Sequence, residues 1–353
     1  MAELHSALEQ DNLKKKLLLI SLLLLLFVSV GAAVVVGAVK ISLLEFRAIL
    51  FPFSSSIEVP AVIRDILIEM RLPRVFLAAA VGASLAVAGA AFQGLFRNPM
   101  ADPYVIGVSS GAALGAVAAI LSETMFSFGG LGAVPLFAFV GGLLTLLIVY
   151  QMARVGSVFP VMTLLLAGIA VSAFLSAFVS LLTFFSGEML HQVVFWMMGG
   201  FSGATWLKVQ VMVPYLLVGF CCIYFYAREL NALLLGEETA RYLGANIEKV
   251  KKIILVGASL LVAAAVSVSG MIGFVGLVVP HLVRLLIGPD HRFLLPASAL
   301  LGASLLINTD TLARTIIAPT ELPVGIITAL IGAPLFIYLL KKRKRLRYFN
   351  SAE

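Results

Sequence analysis

Residues 75–96 read VFLAAAVGASLAVAGAAFQGLF, a run that contains no charged side chain. A transmembrane helix needs about 20 consecutive apolar residues, whereas a strand of a membrane barrel needs about 9–11 residues that alternate between apolar and polar. The run is long enough for the helix and shows no alternation. It therefore predicts a helix that crosses a membrane.

The rest of the chain repeats this pattern. Of the 353 residues, 61% are hydrophobic and 12% are charged, against about 45–50% and about 25% in soluble domains. This composition excludes a soluble protein and predicts an all-α polytopic bundle of about ten spans, which leaves no room for a second large domain. The predicted spans are Leu17–Val39, Val75–Phe96, Val105–Leu121, Val134–Met152, Pro160–Phe185, Val209–Tyr226, Ile253–Val268, Met271–Ile287, Phe293–Ile307 and Pro323–Leu340.

The domain organisation follows from these spans. We expect one transmembrane domain over residues 1–353, with the membrane bundle at 16–340 and a polar cytoplasmic loop at 228–252. Most of the 25 Lys and Arg side chains fall on one side if the N-terminus is cytoplasmic. Because basic loops stay inside, both termini are predicted to be cytoplasmic in a multi-pass protein of the cell (inner) membrane. Basic residues at membrane edges also explain the pI of about 9.5. The expected partner of these residues is therefore membrane lipid, and no nucleic acid is expected.

An internal repeat is indicated by one tetrapeptide. Gly82–Leu85 in the second predicted span recurs as Gly257–Leu260 in the seventh. An offset of five spans would invert the topology of the second copy, as in many transporters. A third copy at Gly302–Leu305 leaves chance as an alternative, because small residues are common at helix contacts in lipid.

Several kinds of chemistry are missing from the sequence. There is no Gly-Lys dipeptide, so the chain has no Walker-type phosphate-binding loop, and none of the four histidines opens a His-Glu-x-x-His motif. The aspartates are scattered singly, so no pair is ready to hold a divalent metal. We therefore expect no cofactor or metal site on this chain and no enzymatic activity of its own.

The polar stretch between spans six and seven predicts a contact with another protein. Gly236 and Gly244 bracket a short amphipathic helix, a shape suited to another protein's groove. A solvated surface loop is an equally weighted alternative on periodicity alone. One face of the helix carries Leu243, and the other carries Glu237, Glu238 and Arg241.

The motifs in this stretch and in four others resemble those of a known protein family. The segment Glu238–Gly244, which reads ETARYLG, resembles the Glu-Ala-Ala-x-x-x-Gly coupling loop of ABC importer permeases, with Thr239 in place of the first alanine. Four more segments resemble one branch, the FecCD-type permeases for iron-siderophores, haem and cobalamin. They are Arg71–Arg74, Gln93–Pro103, Gly273–His281 and Glu321–Gly325.

The resemblance implies a type II ABC importer permease fold with inverted-repeat halves. It implies a homodimer of this chain, two cytoplasmic ATPase subunits that bind ATP and Mg²⁺, and one extracytoplasmic solute-binding protein. The expected function is ATP-driven import of a metal chelate, which could be a ferric siderophore, haem or cobalamin. The sequence leaves the choice among these solutes open, since the binding protein selects them.

The resemblance also implies roles for particular residues. Gly236, Glu238, Ala240 and Gly244 would form the coupling loop that enters the ATPase groove. On the outside, Arg71, Arg74 and Arg314 would receive acidic residues of the binding protein, although basic residues at a membrane edge are more often structural anchors. At the cytoplasmic start of span five, Val161 and Met162 would form an apolar gate, for which simple helix or lipid packing is the alternative.

Other function classes are disfavoured. An ion-coupled secondary transporter would need carboxylates near the membrane midplane, and the predicted spans contain none apart from Asp310, which lies just beyond the end of the ninth. His281 follows Pro280 at a helix break, so a structural hydrogen bond is expected in preference to haem ligation. His191, in the external turn after span five, is a slightly better candidate for a transient haem contact.

Overall fold

The computed structural model describes residues 2–350 apart from Ala38, Lys40, 51–58, 124–126, Ser157 and Phe159. Among these residues, one two-stranded hairpin lies between two of the helices, and in it Ser127 pairs with Gly132. A π-helical turn covers Ile66–Arg71, and 3₁₀ turns cover Pro103–Ile106 and Gly187–Met189. The α-helices are α1 (Ala2–Val35), α2 (Leu43–Leu50), α3 (Ala61–Asp65), α4 (Leu72–Leu95), α5 (Val108–Leu121), α6 (Ala133–Ala153), α7 (Val161–Phe184), α8 (Leu190–Met198), α9 (Trp206–Phe225), α10 (Ala227–Leu234), α11 (Glu237–Tyr242), α12 (Ile247–Ser269), α13 (Val275–Ile287), α14 (His291–Ala313) and α15 (Val324–Asn350).

The helices confirm the predicted spans. Among the described residues, seven helical stretches are long and apolar enough to cross a membrane: Glu9–Val35, Ala61–Leu95, α6, α7, α9, α12 and α14. Three shorter apolar helices, α5, α13 and the first part of α15, account for the remaining predicted spans. The ten-span bundle is therefore confirmed.

Two of the short helices share an unusual beginning. α5 and α13 are 14 and 13 residues long, so each rises only about 20 Å. The 3₁₀ turn Pro103–Ile106 precedes α5, and an irregular segment that begins at Gly270 precedes α13. Non-helical backbone within a membrane-spanning bundle is tolerated where protein surrounds it. The helix break expected beside Pro280 thus lies earlier in the chain, in the segment that begins at Gly270, and Pro280 itself is within α13.

The centre of the molecule is α4, which packs against α9, α12, α13 and α14. Glycine brings the backbones together at two of these contacts. A Cβ atom added at Gly82 would lie 2.2 Å from the carbonyl oxygen of Gly302, and one at Gly89 would lie 1.8 Å from that of Gly276. Small residues are what close helix packing in lipid requires. The third tetrapeptide copy, at Gly302–Leu305, is thus the packing partner of the first.

The helix contacts agree with the predicted repeat. α4 and α12, which carry two copies of the tetrapeptide, lie against each other near the middle of the bundle. α4 packs on α13 and α14, while α12 packs on α5 and α6. The pair α5 and α6 precedes the pair α13 and α14 by five predicted spans. The short helix α5 therefore corresponds to the short helix α13. The two halves therefore repeat both their pattern of contacts and their broken helix.

Candidate functional site

The segment between α9 and α12 lies at one end of the bundle, where α10 packs against α4 and α14. We call α10, α11 and their connecting turns the coupling segment (residues 227–246). Gly236 and Gly244 have φ values of +115° and +87°, which L side chains rarely adopt. The two glycines bracket α11, as the sequence predicted. Tyr242 is 92% exposed and Leu243 is 66% exposed, so the described part of the chain leaves apolar surface at the end of α11 uncovered.

The remaining coupling residues have different surroundings. Ala240 is the fully buried residue of α11, whereas Glu238 and Gly244 are exposed. Apart from Gly244 and its chain neighbours, no described atom lies within 4 Å of a Cβ atom built on this glycine. Ala240 therefore seats the helix on the bundle, and Glu238 and Gly244 lie on its outer surface.

One buried cation holds α11 against α12. The Lys251 ammonium is 2% exposed and donates to Glu237 at 2.9 Å, with Glu248 at 3.5 Å. A buried ammonium needs such partners, because an unpaired charge is expensive to remove from water. The ion pair fixes the first turn of α11 relative to the membrane bundle.

A second anchor, which sequence reasoning missed, joins α10 to the start of α14. The Asn231 amide nitrogen donates to Asp290 at 2.7 Å, and its Oδ1 accepts from the backbone N–H of His291 at 2.8 Å. The imidazole Nδ1 of His291 lies 2.8 Å from the same Oδ1. The available signal was Asp290 as a helix N-cap, since its carboxylate accepts from the Arg292 N–H. We call Asn231, Asp290 and His291 the amide clamp.

The carboxylate of the amide clamp stays ionised. Partial burial alone would raise the pKa of Asp290, but hydrogen bonds from Arg292 and Asn231 outweigh burial and lower the pKa to about 2. Because the pKa in the folded protein is depressed, the stabilisation is complete above the unfolded value near 4 and is lost as the pH falls through about 2. The clamp is therefore intact at neutral pH.

The opposite end of the bundle holds an ion cluster around Arg74. Its Nε and Nη2 donate to the Asp310 carboxylate at 2.8–3.0 Å, and its Nη1 donates to both oxygens of Glu321 at 2.9 Å. Asp310 is 1% exposed, whereas Glu321 is 40% exposed. Such paired donation to a carboxylate fixes the orientation of the guanidinium. Arg74 thus ties α4 to α14 and to the segment before α15.

The other two predicted docking residues are buried. Arg71 donates to the carbonyl oxygens of Val34 and Val35 at the end of α1 and to that of Val39, which follows the helix. Arg314 donates to the carbonyl oxygen of Ala33 and lies 3.7 Å from Asp310. Carbonyl groups in the last turn of a helix lack hydrogen-bond donors within the helix, and these arginines provide the missing donors. Arg71 and Arg314 therefore hold the end of α1 in this structure, and their role in docking stays a prediction.

The predicted gate residues lie at the first turn of α7, which begins after Pro160. Val161 is partly buried, and Met162 is 68% exposed. Exposed apolar side chains continue along α7 to its far end, so this helix presents an apolar face away from the chain's own core. They include Leu166, Ile169, Phe174, Phe178 and Phe184.

The two histidines considered for haem contact, His191 and His281, lie in different surroundings. His191 lines a cavity of about 520 Å³ beside Trp196, and its ring stacks on Phe195 with centroids 4.2 Å apart. His281 lies within α13, one residue after Pro280. Within the ranges that the structure describes, no three His, Cys, Asp or Glu side chains are grouped so that they could hold a metal ion.

Comparison with known proteins identifies the family. Residues 22–342 match the FecCD transport family. A cobalamin import system permease protein, BtuC, of Halobacterium salinarum is 51% identical over 286 residues, which cover 81% of this chain and 76% of that protein. A hemin transport system permease protein, HmuU, of Yersinia pestis is 45% identical over 284 residues, which cover 79% of this chain and 84% of that protein.

The fold gives the same result. A solved structure described as an inward-facing conformation of a transporter assigned to the metal-chelate type of ABC transporters superposes with a TM-score of 0.81 at 35% identity. The match covers 92% of this chain and 98% of the other. The resemblance seen in the sequence motifs is therefore confirmed over nearly the whole membrane domain, and the chain belongs to the FecCD transport family of ABC importer permeases.

Proposed function

We propose that this chain is the membrane-spanning half of a homodimeric, binding-protein-dependent importer that brings a metal chelate into the cytoplasm. Family membership supports the permease role, and the coupling segment carries the proposal for how it works. This segment is held to the bundle through Lys251 and Asn231, yet it exposes Tyr242 and Leu243. A rigid mount with an uncovered apolar tip suits insertion into a groove of a partner protein.

The proposed partner at this tip is a cytoplasmic ATPase. Glu238 and Gly244 would contact it, Ala240 and Gly236 would set the position and angle of the helix, and two ATPase subunits would serve the dimer. ATP and Mg²⁺ would be bound by those subunits, and this chain would bind no cofactor. With the tip on the cytoplasmic side, the even number of spans would place both termini in the cytoplasm as well.

The proposed partner at the opposite end is a solute-binding protein. Arg74 is the most suitable contact, because its Glu321 partner is 40% exposed and lies at the surface. Arg71 and Arg314 lie behind it and would reach a partner only after giving up carbonyl acceptors of α1. A two-fold dimer would present this cluster twice, once to each lobe of the binding protein.

The proposed cargo is a metal chelate of the cobalamin or haem type. The supporting observation is that two relatives, at 51% and 45% identity, are named for cobalamin and hemin import. The exposed apolar face of α7, from Met162 to Phe184, would line a passage between protomers, with Val161 and Met162 closing its cytoplasmic end. A ferric siderophore remains a third cargo to be tested.

An ion-coupled secondary transporter is the competing function. Such a mechanism needs an intramembrane acid that can load and release an ion. Asp310 is the candidate acid, and it already holds the guanidinium of Arg74 through paired hydrogen bonds and lies 3.7 Å from Arg314. This pairing favours a structural carboxylate.

Reconstitution in liposomes tests these alternatives. The chain would be combined with its ATPase and binding protein, and uptake of cobalamin, haem and a ferric siderophore would be measured with and without ATP. We expect uptake of one chelate that requires both partners. Uptake that proceeds without the ATPase and collapses with the ion gradient would instead establish a secondary transporter.

A further inference from the structure

One helix, α14, reaches both of the proposed partner surfaces. It runs from His291 at the end that carries the coupling segment to Ala313 at the opposite end, a rise of about 34 Å. Its first residue belongs to the amide clamp, and Asp310 in its last turn holds Arg74. A displacement of α14 along its axis would therefore be felt at both ends.

The contact between α10 and α14 is directional. Leu230 and Leu233 of α10 are buried by apolar packing, which tolerates sliding because it has no preferred direction. The Asn231 side chain adds three polar contacts of 2.7–2.8 Å to Asp290 and His291, and such contacts weaken steeply when their angles change. The amide clamp, and not the leucines, fixes the position of α10 relative to the start of α14.

The chemistry of the amide clamp assigns its protons. A carboxylate can only accept, so the atom of Asn231 that faces Asp290 is the amide nitrogen. Oδ1 then accepts from the His291 backbone N–H and also from the ring, which places the ring proton on Nδ1. These assignments satisfy every polar contact of Asn231 at once.

The imidazole cannot retreat from this position. His291 is fully buried, and its Nε2 lies against α4, where a Cβ atom added at Gly94 would be only 2.5 Å away. A push on Asn231 therefore cannot be absorbed by a rotation of the ring toward α4. The push must be passed to the start of α14 itself.

From these contacts we infer that Asn231 is a positioning residue for transport, which makes α14 move together with the coupling segment. The inference rests on the proposed function and adds the helix through which the two proposed partner surfaces are coupled. Movement imposed on the coupling segment by the ATPase reaches the Arg74–Asp310 end through α14, and docking at that end reaches the ATPase by the same helix. Thermodynamic linkage requires that this coupling between binding sites act in both directions.

Two variants of Asn231 test the inference in the reconstituted importer. Asn231→Ala removes all three contacts, and the nearly isosteric Asn231→Asp places a carboxylate oxygen where a nitrogen lies 2.7 Å from Asp290. The matched control is Asn308→Ala, the same substitution on α14, where the amide donates at 2.8 Å to Ser29 of α1. The control loses an interhelical hydrogen bond of α14 but leaves the amide clamp intact.

The readout is the ratio of ATP hydrolysis with loaded binding protein to hydrolysis without it. We expect both Asn231 variants to lower this ratio by about fivefold or more, which is the lower end of typical coupling factors, and Asn308→Ala to keep it. Co-purification with the ATPase and affinity for the binding protein should persist, because the Lys251–Glu237 pair and the Arg74 cluster remain.

Three results would overturn the inference. The first is an unchanged hydrolysis ratio in both Asn231 variants, and the second is an equal fall of this ratio in Asn308→Ala. The third is a fall of the ratio that occurs only together with loss of ATPase co-purification, which would indicate a structural role. Failure of the proposed function looks different, because the unmodified chain would then show no stimulation by any binding protein.

Discussion

At the scale of single residues, Glu321 is an internal competitor for the docking arginine. Its carboxylate accepts from Nη1 of Arg74 at 2.9 Å, so a carboxylate from a binding protein would have to displace it. We predict that Glu321→Gln strengthens docking by about two- to fivefold at low salt, the range expected for a partly exposed ion pair. Surface plasmon resonance against the binding protein measures the change.

A second acid provides the control for that prediction. Glu69 and Glu321 both line a cavity of about 250 Å³, while the carboxylate partners of Arg74 are Asp310 and Glu321. Glu69→Gln removes an equal charge and should change affinity less. Equal strengthening by both variants would mean that overall charge, and not competition for Arg74, sets the affinity.

Gly89 carries a prediction about stability. A methyl group at this position would meet the backbone of Gly276 at 1.8 Å, and backbone cannot rotate away as a side chain can. We predict that Gly89→Ala lowers the stability of the detergent-solubilised protein by about 1–3 kcal/mol, the usual cost of overpacking.

The comparison variant is Gly31→Ala on α1, where nothing lies within 4 Å of the added Cβ atom. Thermal unfolding followed by tryptophan fluorescence should show a lower midpoint for Gly89→Ala alone. A lower midpoint for Gly31→Ala of the same size would remove the close approach of α4 and α13 as the cause.

At the scale of elements, α11 depends on its glycine ends and on an open outer surface. A glutamate at Gly244 would place charge on the surface proposed to enter the ATPase and would strain a residue at φ +87°. We predict that Gly244→Glu leaves the protein folded and abolishes co-purification with the ATPase.

Gly129→Glu separates strain from position. Gly129 has φ +59° and open space around it, but it lies in the hairpin at the opposite end of the bundle. We expect this variant to co-purify normally with the ATPase. Normal co-purification of Gly244→Glu would place the ATPase contact elsewhere.

The elements themselves were largely predictable, and their polar connections were not. Spans such as Val134–Met152 correspond closely to α6, because a helix in lipid must be apolar along its whole length. The partners of Arg71 could not be predicted, since its acceptors lie 32–37 residues away in an unrelated span. The amide clamp joins residues 59–60 apart and left no local signal except the N-cap.

At the scale of the whole molecule, the exposed face of α7 bears on passage of the cargo. Met162 is 68% exposed at the first turn of this helix, at the proposed cytoplasmic closure. An apolar constriction excludes water and ions through its width and its lack of polar groups. We predict that Met162→Ala raises leakage through the reconstituted importer without ATP.

Met70→Ala is the matched control, because Met70 is similarly exposed at the opposite end of the chain's fold. Leakage of a small fluorescent solute from liposomes measures both variants. Equal leakage from the two variants and the unmodified chain would favour packing against lipid or a second protomer as the role of Met162.

The buried arginines also set an order of events during biosynthesis. The carbonyl of Ala33 accepts from Arg314, which follows it by 281 residues. At a synthesis rate of about 5–20 residues per second, the ribosome needs on the order of 15–60 s to reach this donor after α1 has emerged. Arg71 arrives within a few seconds and can cover Val34 and Val35 in the meantime. The carbonyl groups at the end of α1, the first helix to enter the bilayer, therefore gain their donors in two stages. The second stage waits for the ninth span.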